Sequence, residues 1–283
     1  MHFFLDFRAA DRGGAVAPGL LSTGTLAGDA AINVLRAETG RRQASMGEGP
    51  VTEMRVIFLI HGFNVPRGRG MDSLWRFANL LGRLSDLPIV SVLWPGDAAW
   101  VPILNYVVEG KDADDTAAYF ATFLEDALPS RPPLSFATHS LGARVALEAI
   151  KRADERFPIR ELCLMASAVD DDCLATEYKE VVRRAGRVAV LSSVKDFVLR
   201  CAYPLGDMGQ AFLFPTTDRP GSALGYRGPD PAAGHTHFPI PDWRKAGHGD
   251  YLPAYGNPVP NPQQASAARY AEGCLAEDSN PQY

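Results

Sequence analysis

From Arg55 onward the apolar residues fall into two alternating styles. Val56 to Ile60, Ile89 to Trp94, Leu134 to Ala137, Leu162 to Ala166 and Arg187 to Leu191 are short, nearly unbroken aliphatic runs. A run with no polar face to show to water predicts a strand covered on both sides, as in a parallel sheet. Between the runs, apolar residues recur every three or four positions. Met71 to Leu84 carries Leu74, Phe77, Ala78 and Leu81, and Ala113 to Leu128 carries Ala117, Phe120, Phe123, Leu124 and Ala127. This spacing predicts helices. Leu141 to Ala153 reads as a further helix, and a charged helical stretch precedes Arg187. Strands alternating with helices predict an α/β fold with a mostly parallel sheet and helices on both faces. In such sheets sites form beyond the carboxyl ends of the strands.

The flanks are less regular. A strand is expected over Phe3 to Phe7 and a strand or helix over Ala30 to Glu38, within a Gly/Ala/Pro-rich first fifty residues. The Gly/Pro-rich stretch from Tyr203 to Gly247 is longer than an ordinary loop and is expected to hold a short helix and a last strand near Thr236 to Ile240. The expected organisation is one domain over 1–252, with N-terminal strands over 1–54 and a catalytic core over 55–252. A tail with a short terminal helix over 253–283 completes it.

Composition excludes more than it identifies. Hydrophobic residues at 46% and charged residues at 22% are ordinary for a globular core. A net charge of −5 leaves no basic stripe for nucleic acid, and it makes an anionic membrane a poor electrostatic partner. No apolar stretch approaches the ~18 residues of a membrane span, and the opening M-H-F-F-L-D-F-R is interrupted too early for a signal peptide. Cys163, Cys173, Cys201 and Cys274 form no C-x-x-C pair, which suits reduced thiols in a cytoplasmic protein with no metal cluster. No cofactor is expected.

The strongest chemical signal is F-A-T-H-S-L-G-A-R, where a short strand runs into Ser140 and an Ala/Leu-rich helix leaves it. A nucleophile elbow needs this layout, because the turn lifts the serine hydroxyl clear of the sheet. Thr138 stands where the usual G-x-S-x-G motif has its first glycine. The bland alternative is Ser140 as a helix N-cap. Upstream, V-I-F-L-I-H-G-F-N ends a strand in His61-Gly62, the place from which a backbone N–H, that of Phe63, is aimed at the oxygen also served by Leu141. His61 is expected to brace this loop.

Serine needs a base, and the base an orienting acid. His2 falls on the first strand, and His139 is expected to point to the opposite side of the turn from Ser140. The chain order Ser, acid, His leaves His235, His237 and His248. His248, in the Gly-flanked A-G-H-G-D-Y-L after the last strand, is preferred. H-T-H at His235 and His237 lacks the acidic or histidine partners of a metal site. The acid is placed at Asp196, with the Asp170-Asp171-Asp172 run as competitor and an N-cap as the plain reading of Asp196.

V-I-F-L-I-H-G-F-N, the strand ending S-V-L-W-P-G-D, T-H-S-L-G-A-R, L-G-Y-R-G-P and G-H-G-D-Y-L together resemble the α/β-hydrolase superfamily. The resemblance runs from about Arg55 to Leu252, and its nearest branch is a bacterial esterase/lipase-like group of unknown function. It implies an eight-stranded hydrolase core, a triad on Ser140, Asp196 and His248, and oxyanion donors at Phe63 and Leu141. The expected activity is acyl-enzyme hydrolysis of a small-molecule carboxylic ester or thioester. Asn64, Trp94, Trp100, Tyr106 and Tyr226 are candidates to line the pocket, as are Phe212, Phe214 and Trp243. The same triad would serve an amidase or peptidase. A non-catalytic module of this fold would instead bind a ligand or partner.

Overall fold

A computed structural model of the chain describes residues 1–10, 15–44, 55–96, 104–201, 222–229 and 235–283. The strands are β1 (His2–Arg8), β2 (Val16–Thr23), β3 (Leu26–Ala27), β4 (Val56–Ile60), β5 (Ile89–Leu93), β6 (Leu134–His139), β7 (Ile159–Met165), β8 (Ala185–Ser192) and β9 (Thr236–Pro239). The helices are α1 (Asp29–Ala44), α2 (Arg67–Leu80), α3 (Leu104–Ala127), α4 (Gly142–Arg152), α5 (Lys179–Arg184), α6 (Leu224–Arg227) and α7 (Pro262–Leu275).

The described strands form one 9-stranded sheet in the order β3-β2-β1-β5-β4-β6-β7-β8-β9. From β1 to β9 every neighbouring pair is parallel, and only the β1–β2 and β2–β3 pairings are antiparallel. The α/β-hydrolase expectation of eight strands is thus exceeded by one, and the antiparallel edge strands β2 and β3 are hidden in the sequence. β2 contains Pro18 and Gly19 and is mostly half-exposed, so it lacks an unbroken apolar run. Gly19 is needed there because a Cβ would sit 2.5 Å from the Phe7 ring.

The interior runs β4 and β5 are buried at every position. α1, α3, α4 and α5 cover one face, while α2 and α7 pack on the other. On the α3 face Phe58 and Phe136 of the sheet meet Phe120, with ring centroids 5.0 Å apart for Phe58 and Phe120. The terminal helix, expected to be short, is 14 residues long and seals the core with Ala267, Ala268, Tyr270, Ala271, Cys274 and Leu275. It starts where Asn261 caps it, accepting from the Gln264 amide, with Pro262 in the first turn. Among the described residues no helix is long and apolar enough to cross a membrane.

Candidate active site

β6 stops at His139 because Ser140 takes φ +55°, a left-handed conformation costly for a residue with a Cβ. Its amide still donates to the Met165 carbonyl at 3.0 Å, and its carbonyl accepts from Ala143 at 3.1 Å. The turn is therefore pinned between β7 and α4. Two glycines make room for it. A Cβ on Gly142 would lie 2.5 Å from the His61 carbonyl oxygen, and one on Gly62 would lie 2.7 Å from the Ser140 Cβ. Thr138, in place of the motif's leading glycine, sits in the ladder opposite Ile60 and Leu164 and is fully buried.

Ser140 Oγ lies 2.9 Å from His248 Nε2, and His248 Nδ1 lies 2.8 Å from Asp196 Oδ2. A carboxylate only accepts, so Nδ1 carries the proton and Nε2 is left to accept from the hydroxyl. Asp196 is fully buried, and its other oxygen accepts from the Leu199 amide at 3.0 Å. One carboxylate thus caps a helical turn over 197–201 and faces the imidazole. The two readings of Asp196 from the sequence are compatible.

The Gly-flanked loop bearing His248 is tied down. Asp250 accepts from the Gly247 amide at 2.9 Å and from Asn261 Nδ2 at 2.9 Å, and Gln264 Nε2 donates to the Gly249 carbonyl at 3.3 Å. The N-terminal turn of α7 therefore holds this loop. His139 holds it from the other side. Its Nε2–H donates to the His248 carbonyl at 2.8 Å, and its ring lies 4.8 Å from the His248 ring and 5.7 Å from that of Tyr251. Burial, and then the neighbouring His248, push the His139 imidazole down to about 3, so it stays neutral. This corrects the expectation that His139 faces away. Strand alternation sends neighbours to opposite sides, but the left-handed turn at Ser140 breaks the alternation. The only signal in the sequence was its adjacency to Ser140.

The Phe63 and Leu141 amides have no acceptor among the described residues. Leu141 stands at the N-terminus of α4, where peptide dipoles favour negative charge. His61 braces the loop through Nδ1–H to the Gly62 carbonyl at 2.8 Å, and its own carbonyl accepts from Trp94 Nε1 at 2.9 Å. Burial pushes His61 down to about 4, so it too is neutral.

The remaining candidates sort unevenly. Trp94 is fully buried, stacked 5.9 Å from the His61 ring, and so supports the loop from within rather than lining a pocket. Asn64 takes φ +57° and donates its amide to the Gly96 carbonyl. Tyr226 is half-buried on α6, and Trp243 is exposed. Trp100, Phe212 and Phe214 lie outside the described residues, and of Tyr106 only the backbone in α3 is described. The competing acids lie elsewhere: Asp170 bridges Ala223, and the Asp171 amide donates to Ser222 at 2.8 Å. His237 Nε2 pairs with Ser192 Oγ at 2.7 Å. Among the described residues no three His, Cys, Asp or Glu side chains are grouped to hold a metal ion.

No curated protein sequence matches the chain. Among solved structures, the ydeN gene product from B. subtilis is 16% identical, with a TM-score of 0.40 over 70% of this chain and 89% of that one. Esterase PE8 is 13% identical, with a TM-score of 0.41 over 80% of this chain and 93% of that one. MenH from S. aureus is 11% identical, with a TM-score of 0.32 over 72% and 90% respectively. Residues 48–207, more than half of the chain, match the family described as alpha/beta hydrolase of unknown function (DUF900). The chain belongs to this alpha/beta hydrolase family.

Proposed function

We propose that the protein is a serine hydrolase that cleaves carboxylic esters or thioesters through an acyl-Ser140 intermediate. The observation that carries this reading is the unbroken hydrogen-bond chain from buried Asp196 through His248 to Ser140 Oγ. His248 Nε2 takes the hydroxyl proton as Oγ attacks the carbonyl carbon. The resulting oxyanion is received by the free amides of Phe63 and Leu141. The imidazolium, held by Asp196, returns its proton to the leaving alcohol or thiol as the bond to it breaks. Water then repeats the sequence, releasing the acid and restoring Ser140. Each oxyanion donor is worth about 3 kcal/mol of transition-state stabilisation in comparable enzymes.

A fluorophosphonate probe applied to the wild type and to Ser140→Ala tests the reading. Labelling of the wild type alone is the expected result. Equal labelling of both, or of neither, removes Ser140 as nucleophile. Turnover of a short p-nitrophenyl ester but not its anilide analogue separates an esterase from an amidase.

A further inference from the structure

Two short segments frame the proposed base and acid, and both push apolar side chains into water. The first, 194–200, exposes Val194, Phe197 and Val198, and Phe197 is 71% exposed. The second, 241–245, exposes Trp243 to 72%. Lone exposed apolar residues are ordinary, but a contiguous group marks a docking surface. One bridge joins the two segments directly, and two more join them through the residues that flank them. Lys195 Nζ meets Asp242 Oδ2 at 3.0 Å, Ser193 Oγ donates to the Ala246 carbonyl at 2.7 Å, and His248 meets Asp196. The exposed group therefore belongs to one face, built on the loops that carry the chemistry.

The charges around it are one-sided. Lys195, Arg200 and Lys245 are exposed, and Arg244 lies with its guanidinium 4.5 Å from the Trp243 ring centroid. Within the two segments the acids are Asp242, which pairs with Lys195, and Asp196, which is buried against His248. This basic patch stands on a chain whose net charge is −5. With Lys195 paired to Asp242, the excess of cations left at Arg200, Arg244 and Lys245 would repel a second copy of the same face, which argues against self-pairing. Trp and Phe beside Lys and Arg are the side chains that settle at the headgroup level of a bilayer, with the rings in the acyl boundary and the cations among anionic headgroups.

We propose that the face formed by segments 194–200 and 241–245 docks the protein on an anionic lipid bilayer. Each basic residue at such a surface contributes roughly fivefold to partitioning. The Phe197 and Trp243 rings add a component that salt does not screen.

Cosedimentation of the full chain with vesicles of phosphatidylcholine alone, or of phosphatidylcholine mixed with phosphatidylserine, tests this directly. The expected result is at least tenfold stronger binding to the mixed vesicles, most of it lost at high salt. Arg200→Glu and Lys245→Glu are each expected to weaken that binding fivefold or more. Trp243→Ser and Phe197→Ser are expected to weaken it on both vesicle types. Brominated lipid is expected to quench wild-type fluorescence more than that of Trp243→Phe. The proposal is overturned by absence of binding to mixed vesicles or by binding that the four patch variants leave unchanged. Concentration-dependent self-association abolished by Trp243→Ser would overturn it equally, as would capture of an acidic protein without vesicle binding. None of these readouts depends on the identity of the nucleophile.

Discussion

Clusters of polar and ionisable side chains lie at both ends of the parallel strands, and the two clusters are built oppositely. Beyond the carboxyl ends lie Ser140, His248 and Asp196, a hydrogen-bonded chain in which an imidazole separates a buried carboxylate from a hydroxyl. At the amino ends, Arg55 Nη1 meets Glu161 Oε1 at 3.0 Å and Glu277 Oε1 at 3.1 Å. Arg55 also donates to the Leu275 carbonyl, Ser135 donates to Glu161, and Arg160 pairs with Glu277. The lower cluster sets opposite charges against each other and ties β4 and β7 to the end of α7. In the upper network a single buried carboxylate faces the imidazole, which takes up a proton in the proposed reaction. Burial alone does not distinguish a functional network from a structural one.

The sharpest way to break this contrast is to remove one carboxylate from each end. Asp196→Asn is expected to lower kcat on a short ester by about 10⁴-fold, because the amide forces the wrong His248 tautomer. Glu161→Gln is expected to leave kcat within a few-fold. Steady-state kinetics on both variants checks this. A large loss from Glu161→Gln would mean that the ends are coupled through the strands. Arg55→Met should act in the reverse sense. It leaves Glu161 buried without its cation and is expected to cost about 3–5 kcal/mol of stability in urea unfolding above pH 7, where Glu161 is ionised, with kcat of the folded fraction unchanged.

Glu161 and the buried histidines beside the proposed site respond to pH with opposite sign. Burial pushes the Glu161 carboxyl from 4.5 up to about 7. Between those values the folded state keeps a proton that the unfolded state has released, so this group makes stability fall as pH rises towards 7. His61 near 4 and His139 near 3, both lowered by burial, do the opposite. The unfolded chain binds their protons below about 6.5, so they make stability rise with pH from about 4 to 6.5. Glu161→Gln is therefore expected to unmask a steeper rise over that window than the wild type shows. Urea midpoints measured between pH 4 and 8 decide it, and an unchanged profile would show that Glu161 is ionised throughout.

What the sequence revealed followed what each region is made of. Val56–Ile60 was readable to the residue because a strand covered on both faces needs an unbroken apolar run. β2 was missed because an edge strand has no such requirement. The length of α7 was missed because its buried face is largely Ala, Gly and Ser, which give little periodic contrast. Ser140, His248 and Asp196 lie far apart in sequence, yet each follows a strand end, so topology predicted their convergence. Arg55, Glu161 and Glu277 converge as closely without any motif, and nothing local announced them. Net charge is a value for the whole chain and does not report local groupings such as Arg244 and Lys245.

The smallest expected effect separates backbone strain from side-chain chemistry at the two ends. Ser140 has φ +55° and Glu277 has φ +61°, so a left-handed residue with a Cβ belongs to the network at each end. Alanine at either position removes the side chain's partners but keeps the strain, whereas glycine removes both. Glycine is therefore expected to be more stable than alanine by about 1 kcal/mol at each site, after the entropy that glycine adds to the unfolded chain. Ser140 has one further source of crowding, since its Cβ faces Gly62 across the turn. If the Gly-minus-Ala difference in urea unfolding is equal at both positions, the elbow is no more strained than an ordinary helix end. A larger difference at Ser140 would locate additional strain at the proposed nucleophile, held in place by the Met165 and Ala143 hydrogen bonds.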